Sequence, residues 1–512
     1  MKKNIINKLI PVFVLIMMAT SCGKDHLELT PIGTSLEVNY YQTEGELFEG
    51  LVAVYDVLQW GSTSGIWAMN VGILNAASDD CFAGGSDASD QPSWVAYDNF
   101  SLNPSLGPQE GLWTKYFAGI YRANLILQKL EEAPADISTR FKARTAAEAK
   151  FLRAYFYFDL LRYFGNVPLL TDVVSVDEIT TITQASTADV YAQVEADLKA
   201  ARAEPELPES VAPADFGRIT QGAVASLLGK VILYQNNDSR MTEAADLFEE
   251  VINSGFYLLE DNYEDIFANQ GEFGSESIFE IQHSSNKPGD FGYGFAAGPT
   301  VNPTEGNFNV QFFGMRDYVG PEYATGWSFC PVTNDLADFM ASDPRFEHTI
   351  VDGNVLKAQG ASYTEGFQNT DYFIKKYAPL EANRASDGDV ALGWGTNQRE
   401  IRLADVYLMA AEAIVRGGGS SATARGYINE VRNRVGLGDI NTSVSGPILL
   451  DVIYKERRLE LATEGHRFFD LVRTGQAPQV LDGFNAGIHE LLPIPQIEID
   501  LTNGQMIQNP GY

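Results

Sequence analysis

The feature that most restricts how this chain can fold is an aromatic run. Residues 151–172 read FLRAYFYFDLLRYFGNVPLLTD, and seven of the first fourteen are Phe or Tyr. At 3.6 residues per turn these rings do not make a single stripe. Phe151, Tyr155 and Phe158 share one face, Phe156, Leu160 and Tyr163 a second, and Tyr157, Leu161 and Phe164 a third. A helix apolar nearly all round is enclosed by neighbours, so the run reads as core and not as a ligand surface. Asp159 and Arg162, three residues apart, can pair and so make their own burial tolerable. Gly165 and Pro168 then stop the helix.

Other segments share this helical character. GLWTKYFAGIYRANLILQKLEEAP runs with helical period up to Pro134. ITQGAVASLLGKVILYQNNDSRMTEAADLFEEVINSG reads as two helices joined by NNDSR. Its Leu228–Gly229 followed by Ala244-x3-Phe248 resembles a tetratricopeptide helical hairpin with a longer loop. EIRLADVYLMAAEAIVRGGGSSATARGYINEVRNRVGL repeats the plan around a Gly/Ser turn. Small residues let paired helices approach, and such hairpins bury their faces only by stacking. The expectation is a mostly α fold of three or four hairpins, split by two loop-rich insertions at about residues 61–111 and 271–398. The second insertion holds 16 Gly and 20 aromatic residues in 128 positions, above the chain-wide rate for both. Glycine permits sharp turns, and rings held on such loops are not explained by helix packing.

With 512 residues, 45% of them hydrophobic, the chain can bury a large core. Its formal charge of −32 excludes a nucleic-acid partner, which needs a basic stripe. The first 21 residues read as a signal segment: a basic MKKNIINK, then the eleven-residue apolar LIPVFVLIMMA. A membrane span needs roughly 20 apolar residues, so this segment is too short for one. The following ATSC resembles a bacterial lipoprotein signal, in which Cys22 takes the lipid; Ala19 stands where Leu is commoner. An ordinary cleaved signal peptide is the alternative. Cleavage before Cys22 takes three lysines with it and leaves the chain near −35. Acyl chains would hold it at a membrane without spanning it. Cys81 and Cys330 remain, and spacing alone leaves open whether they pair. There is no CxxC, no zinc-like cluster, no P-loop, no HExxH and no G-x-S-x-G, so no cofactor or metal is expected. GYGFAA (292–297) fits a dinucleotide pattern formally but lacks the flanking strand and helix.

The C-terminal third carries a resemblance. IYKERRLELATEGHRFFDLVRTGQA (453–477) and LLPIPQIEIDLTNGQMIQNPGY (491–512) are similar to closing signatures of the SusD/RagB family of Bacteroidetes outer-membrane nutrient-binding lipoproteins. FLRAYFYFDLLRYFGNVPLL and RLADVYLMAAEA match two further motifs of that family, in the expected order. The resemblance implies one domain over residues 22–512, four tetratricopeptide-like hairpins, and a loop-rich surface opposite them. It also implies a lipid-anchored lid on a SusC-like TonB-dependent outer-membrane transporter, facing the cell exterior. Such a lid captures oligosaccharides and catalyses nothing. The matched motifs are scaffold motifs and carry over no sugar contacts. Within the 453–477 signature, alternating charges suit an ion-paired helix surface packed on neighbours. A catalytic reading of Glu456, Glu464 and His466 rests on residue type alone.

A sugar ring presents an apolar C–H face and a rim of hydroxyls, so its site joins aromatic faces to polar groups. Trp60 and Trp113 fall in helical runs and read as core. Trp94, in a Gly/Ser/Asp loop without helical partners, is the leading contact candidate, followed by Trp327 and Trp394 beside glycine or proline. Trp67 is ambiguous, and Tyr293 and Phe295 come next. Asp79 and Asp80 either bridge hydroxyl pairs or cap a turn. Lys375 and Lys376 read as a solvated strand edge or, less simply, as ligand contacts. The absence of a basic cluster in these loops favours a neutral glycan. Two other readings stay open: a peptide-binding lid of the same type, and a glycoside hydrolase, which requires two carboxylates about 5–9 Å apart.

Overall fold

The aromatic run is the second half of the longest helix, and the remaining helices are arranged around it. The computed structural model describes residues 40–63, 66–285, 305–386 and 389–512. Among these, the scaffold helices are α1 (Glu44–Gln59), α2 (Gln109–Glu132), α3 (Thr139–Phe164), α4 (Thr187–Arg202), α5 (Gln221–Tyr234), α6 (Met241–Asn253), α7 (Leu403–Arg416), α8 (Ser421–Arg434) and α9 (Gly446–Leu461). Each packs on the next, from α1 on α2 through to α7 on α8, with α9 also against α7. Four stacked hairpins result: α1–α2, α3–α4, α5–α6 and α7–α8. All three stripes of α3 are buried, with Phe151 edge-on to Phe279 and Phe158 edge-on to Tyr234. Asp159 and Arg162 do pair, and the Arg162 guanidinium lies between the Phe158 and Phe469 rings. Gly165 ends the helix at φ +69°, where a side chain would be strained.

Close approach explains the small residues. A Cβ at Gly229 on α5 would stand 2.6 Å from the Phe248 ring of α6, and one at Gly119 on α2 would stand 2.4 Å from Phe156. No helix among the described residues is long and apolar enough to cross a membrane.

The two insertions contain more short helix than expected, including Asn70–Ala76, Pro92–Asp98, Phe308–Phe313 and Asn334–Met340. Strands β1 (Ser62–Thr63) and β2 (Ile66–Trp67) form one antiparallel pair. Strands β3 (Ser277–Ile281) and β6 (Gln398–Arg402) form another, which joins the two ends of the second insertion; β4 (Ile350–Asp352) and β5 (Tyr372–Ile374) pair within it. The insertions meet each other through backbone bridges at Cys81–Val332 and Gly85–Phe367. Cys81 and Cys330 are buried free thiols in that contact, with burial raising both well above the usual thiol range.

Five charges of the 453–477 signature, Glu456, Arg457, Glu460, Glu464 and Arg473, are buried inside the protein and not laid out on a helix surface, whereas Lys455 is exposed. Glu460 is fully buried and ion-pairs with Arg345, Arg402 and Arg434. Arg402 also reaches Glu464 at 2.7 Å and Glu276 at 2.8 Å. Lys376 belongs here too: its Nζ donates to Glu464 at 2.6 Å and to the Glu460 carbonyl at 2.9 Å. It is therefore interior, where a strand edge was expected; Lys375 next to it donates to the exposed Glu347 carbonyl. The surrounding guanidinium groups hold the Glu460 carboxyl well below the usual range despite burial. A carboxylate depressed in this way stabilises the fold above its ordinary pKa and loses that contribution as pH falls through the acid range. Glu460→Gln is expected to cost about 3–5 kcal/mol in urea unfolding at pH 7, because it takes one carboxylate charge from three buried guanidiniums at once, and to narrow the wild-type advantage below pH 4.

Candidate ligand-binding site

Four tryptophans converge on one short helix, Phe308–Phe313. Phe312, fully buried, lies 4.8 Å from Trp67, 5.2 Å from Trp327, 5.3 Å from Trp94 and 4.6 Å from Phe329, measured between ring centroids. Phe308 touches Trp67 at 5.4 Å. Gln311 accepts the indole N–H of Trp394 at 3.0 Å. These rings form one cluster with an inner and an outer layer.

The outer layer is Trp67 and Trp327. Both are half-buried, with centroids 6.2 Å apart and planes inclined at 58°. Trp67 is carried on β2, whose surroundings are fixed by a buried lysine. Lys115 Nζ donates to the Trp60 carbonyl at 2.8 Å and the Leu58 carbonyl at 3.2 Å, with the Ala68 carbonyl at 3.5 Å. One ammonium thus ties the end of α1 to the residue after Trp67, and burial lowers its pKa to about 8. Trp327 is set by its backbone N–H, which donates to Gln311 O at 2.9 Å, and by its carbonyl, which accepts from Arg316 Nη2 at 3.0 Å.

Arg316 and Asp90 supply the polar edge. Arg316 Nη2 also donates to Asp90 Oδ2 at 2.9 Å, and both side chains stay partly exposed beside Trp327. They stand 226 residues apart in sequence, so no local pattern could have brought them to notice.

The inner layer corrects two expectations. Trp94 is 1% exposed and Trp394 0%, so neither presents a face to solvent. Trp94 does have helical partners: it lies on Pro92–Asp98, where proline opens the helix. Its ring is packed so closely that a Cβ at Gly72 would approach it to 2.4 Å. Asp79 and Asp80 are engaged in ion pairs, and neither caps a helix among the described residues. Asp79 takes both ends of the Arg467 guanidinium at 2.8 and 2.9 Å, and Asp80 pairs with Arg458 at 2.9 Å. They bolt the first insertion to the scaffold, at a cleft of about 690 Å³ that no ring of the platform lines. Tyr293, Phe295 and Cys22 lie outside the described residues. No group of three or more metal-binding side chains occurs among the described residues. Glu456 and Glu464, the residues of the catalytic reading, are buried in ion pairs. Burial lowers the pKa of His466 to about 4.

A sequence profile described as "SusD family" matches residues 275–512, and a second, "Starch-binding associating with outer membrane", matches residues 74–233. A solved laminarin-binding SusD-like protein is 40% identical, superposes with a TM-score of 0.84, and is covered completely by 92% of this chain. Surface glycan-binding protein A from Bacteroides thetaiotaomicron, solved with laminarihexaose, is 29% identical with a TM-score of 0.82, over 91% of this chain and all of its own. SusD-like protein P2 of Formosa agariphila is 27% identical, over 97% of this chain and 98% of its own. The chain belongs to the SusD family.

Asp98 yields a pH test of the framework behind the platform. It ends the helix that carries Trp94, and its Oδ2 accepts from Ala83 N at 2.8 Å. Burial pushes its carboxyl up to about 7. A carboxyl raised on folding takes up a proton, so stability falls as pH rises from about 4 to 7. Asp98→Asn keeps an acceptor without the charge. It should unfold like wild type near pH 4 and be more stable at pH 8, by on the order of 2–4 kcal/mol, in thermal or urea melts.

Proposed function

We propose that this protein is a cell-surface glycan-binding lipoprotein, anchored through Cys22 to the outer membrane, that captures oligosaccharides and passes them to a partner TonB-dependent transporter without catalysis. The observation that carries the binding reading is the Trp67–Trp327 pair: two inclined, half-buried indoles over a buried ring, edged by Arg316 and Asp90. Inclined faces suit successive rings of a curved sugar chain, and the guanidinium and carboxylate suit its hydroxyls. The rings are held from behind by Phe312, so little freedom is lost on binding. The two solved relatives described with laminarin or laminarihexaose make a neutral, laminarin-type glucan the first candidate. Supporting the non-catalytic reading, the carboxylates nominated from sequence are committed to buried ion pairs.

Affinity of order 10 μM to 1 mM is expected, growing with oligomer length. Trp327→Ala and Trp67→Ala should each weaken laminarihexaose binding about tenfold in isothermal titration, the loss of one stacked ring. Unchanged affinity in both variants would remove the platform. Appearance of new reducing ends during incubation with the purified protein would replace binding by hydrolysis.

A further inference from the structure

A second concave surface lies alongside the platform. Between α1 and the 211–218 loop is a cleft of about 300 Å³, within the size range of small-ligand sites. Its apolar wall includes Phe48, Val52, Tyr55 and Phe216. Val52 is 47% exposed, on the face of the helix away from the fully buried Leu51 and Val54. The rings are held in place: Phe216 stacks on Phe273 at 4.8 Å, and the Arg218 guanidinium lies 4.9 Å over Phe48. Arg218 is itself fixed by Glu148 at 2.6 Å and Asp215 at 3.2 Å. We infer that this cleft is a second contact for the same neutral glycan, engaging a part of the chain beyond the rings stacked on Trp67 and Trp327. The inference rests on the glycan reading above.

Three observations support it. Chemically, fixed aromatic rings beside carboxylates and amides repeat the pairing that a sugar requires. Electrostatically, the lining carboxylates Asp56, Asp215 and Glu280 are paired with Arg122, Arg218 and Arg399, so the wall is balanced in charge and suits a neutral chain. Spatially, the cleft adjoins the crevice behind the floor of the platform. Leu58 and Gln59 line it and also line the crevice that contains Gly61 and Phe308. Phe308 is the ring 5.4 Å from Trp67, and Glu305 on the cleft rim is three residues away from it, at most about 10 Å of chain. A ligand that spans both places gains effective concentration for its second contact, and one too short to span gains nothing.

The test compares laminaritriose with polymeric laminarin by isothermal titration on the full mature chain. Val52→Trp fills the cleft from an exposed position, and Phe216→Ala strips a wall; circular dichroism and melting temperature establish that each folds. Both variants should bind the trisaccharide as wild type does and bind the polymer at least fivefold more weakly. Wild-type polymer affinity in Val52→Trp and Phe216→Ala overturns the second contact while leaving the platform intact. Trp327→Ala separates the two ideas: if it spares both ligands, the platform reading fails, and polymer loss in the cleft variants would then make the cleft an independent site and not an extension. Absence of binding to either glycan by wild type would defeat both.

Discussion

The interaction on which the rest of the structure depends is the buried charge cluster around Glu460. One carboxylate on α9 gathers guanidiniums from the end of α8, from the β6–α7 junction and from the second insertion. Its backbone carbonyl adds Lys376 and Tyr263. Ion pairs this deep gain little net free energy over a hydrophobic replacement, because desolvation offsets most of the attraction. They do impose geometry, since Arg345, Arg402 and Arg434 share a fixed set of buried carboxylates that includes Glu276, Glu456 and Glu464 as well as Glu460. The second insertion is therefore seated on the scaffold in one register by charge, where apolar packing alone would tolerate slippage.

That seating carries through to the platform. The strand pair β3–β6 closes the ends of the insertion, and the Phe308–Phe313 helix within it becomes the floor under Trp67 and Trp327. Trp67 comes from the other insertion, held by the Lys115 ammonium across three backbone carbonyls. Trp94 and Trp394 contribute from behind by filling space and, for Trp394, by bonding Gln311. Trp67 and Trp327 stay half-buried while two other indoles, with Phe312, fill the interior beneath them.

Much of the framework was legible in the chain. The three apolar stripes of α3 required a buried helix, and Gly229 opposite Phe248 required a close hairpin; both hold in the structure. The ion-paired character of the 453–477 segment was readable from its alternation, though its depth was not, because alternation does not distinguish a surface lattice from a sealed cluster. For the site, the burial of the individual tryptophans was not recoverable from the chain. Trp94 in a polar Gly/Ser/Asp stretch looked exposed, and it is buried because Gly72 in the same insertion and Phe312 in the other enclose it. Asp79 and Asp80 could be read only as hydroxyl ligands or turn caps for the same reason, with Arg458 and Arg467 nearly four hundred residues away.

By itself, the sequence determined the helical hairpins, their order and the partition between scaffold and loop-rich insertions, since these follow from periodicity and from Gly and Pro within a few turns of chain. Only the tertiary structure decided which rings face solvent, which carboxylates are already spent on arginines, and where Arg316 meets Asp90. Exposure and pairing in loops depend on contacts between distant segments, and no local pattern encodes them.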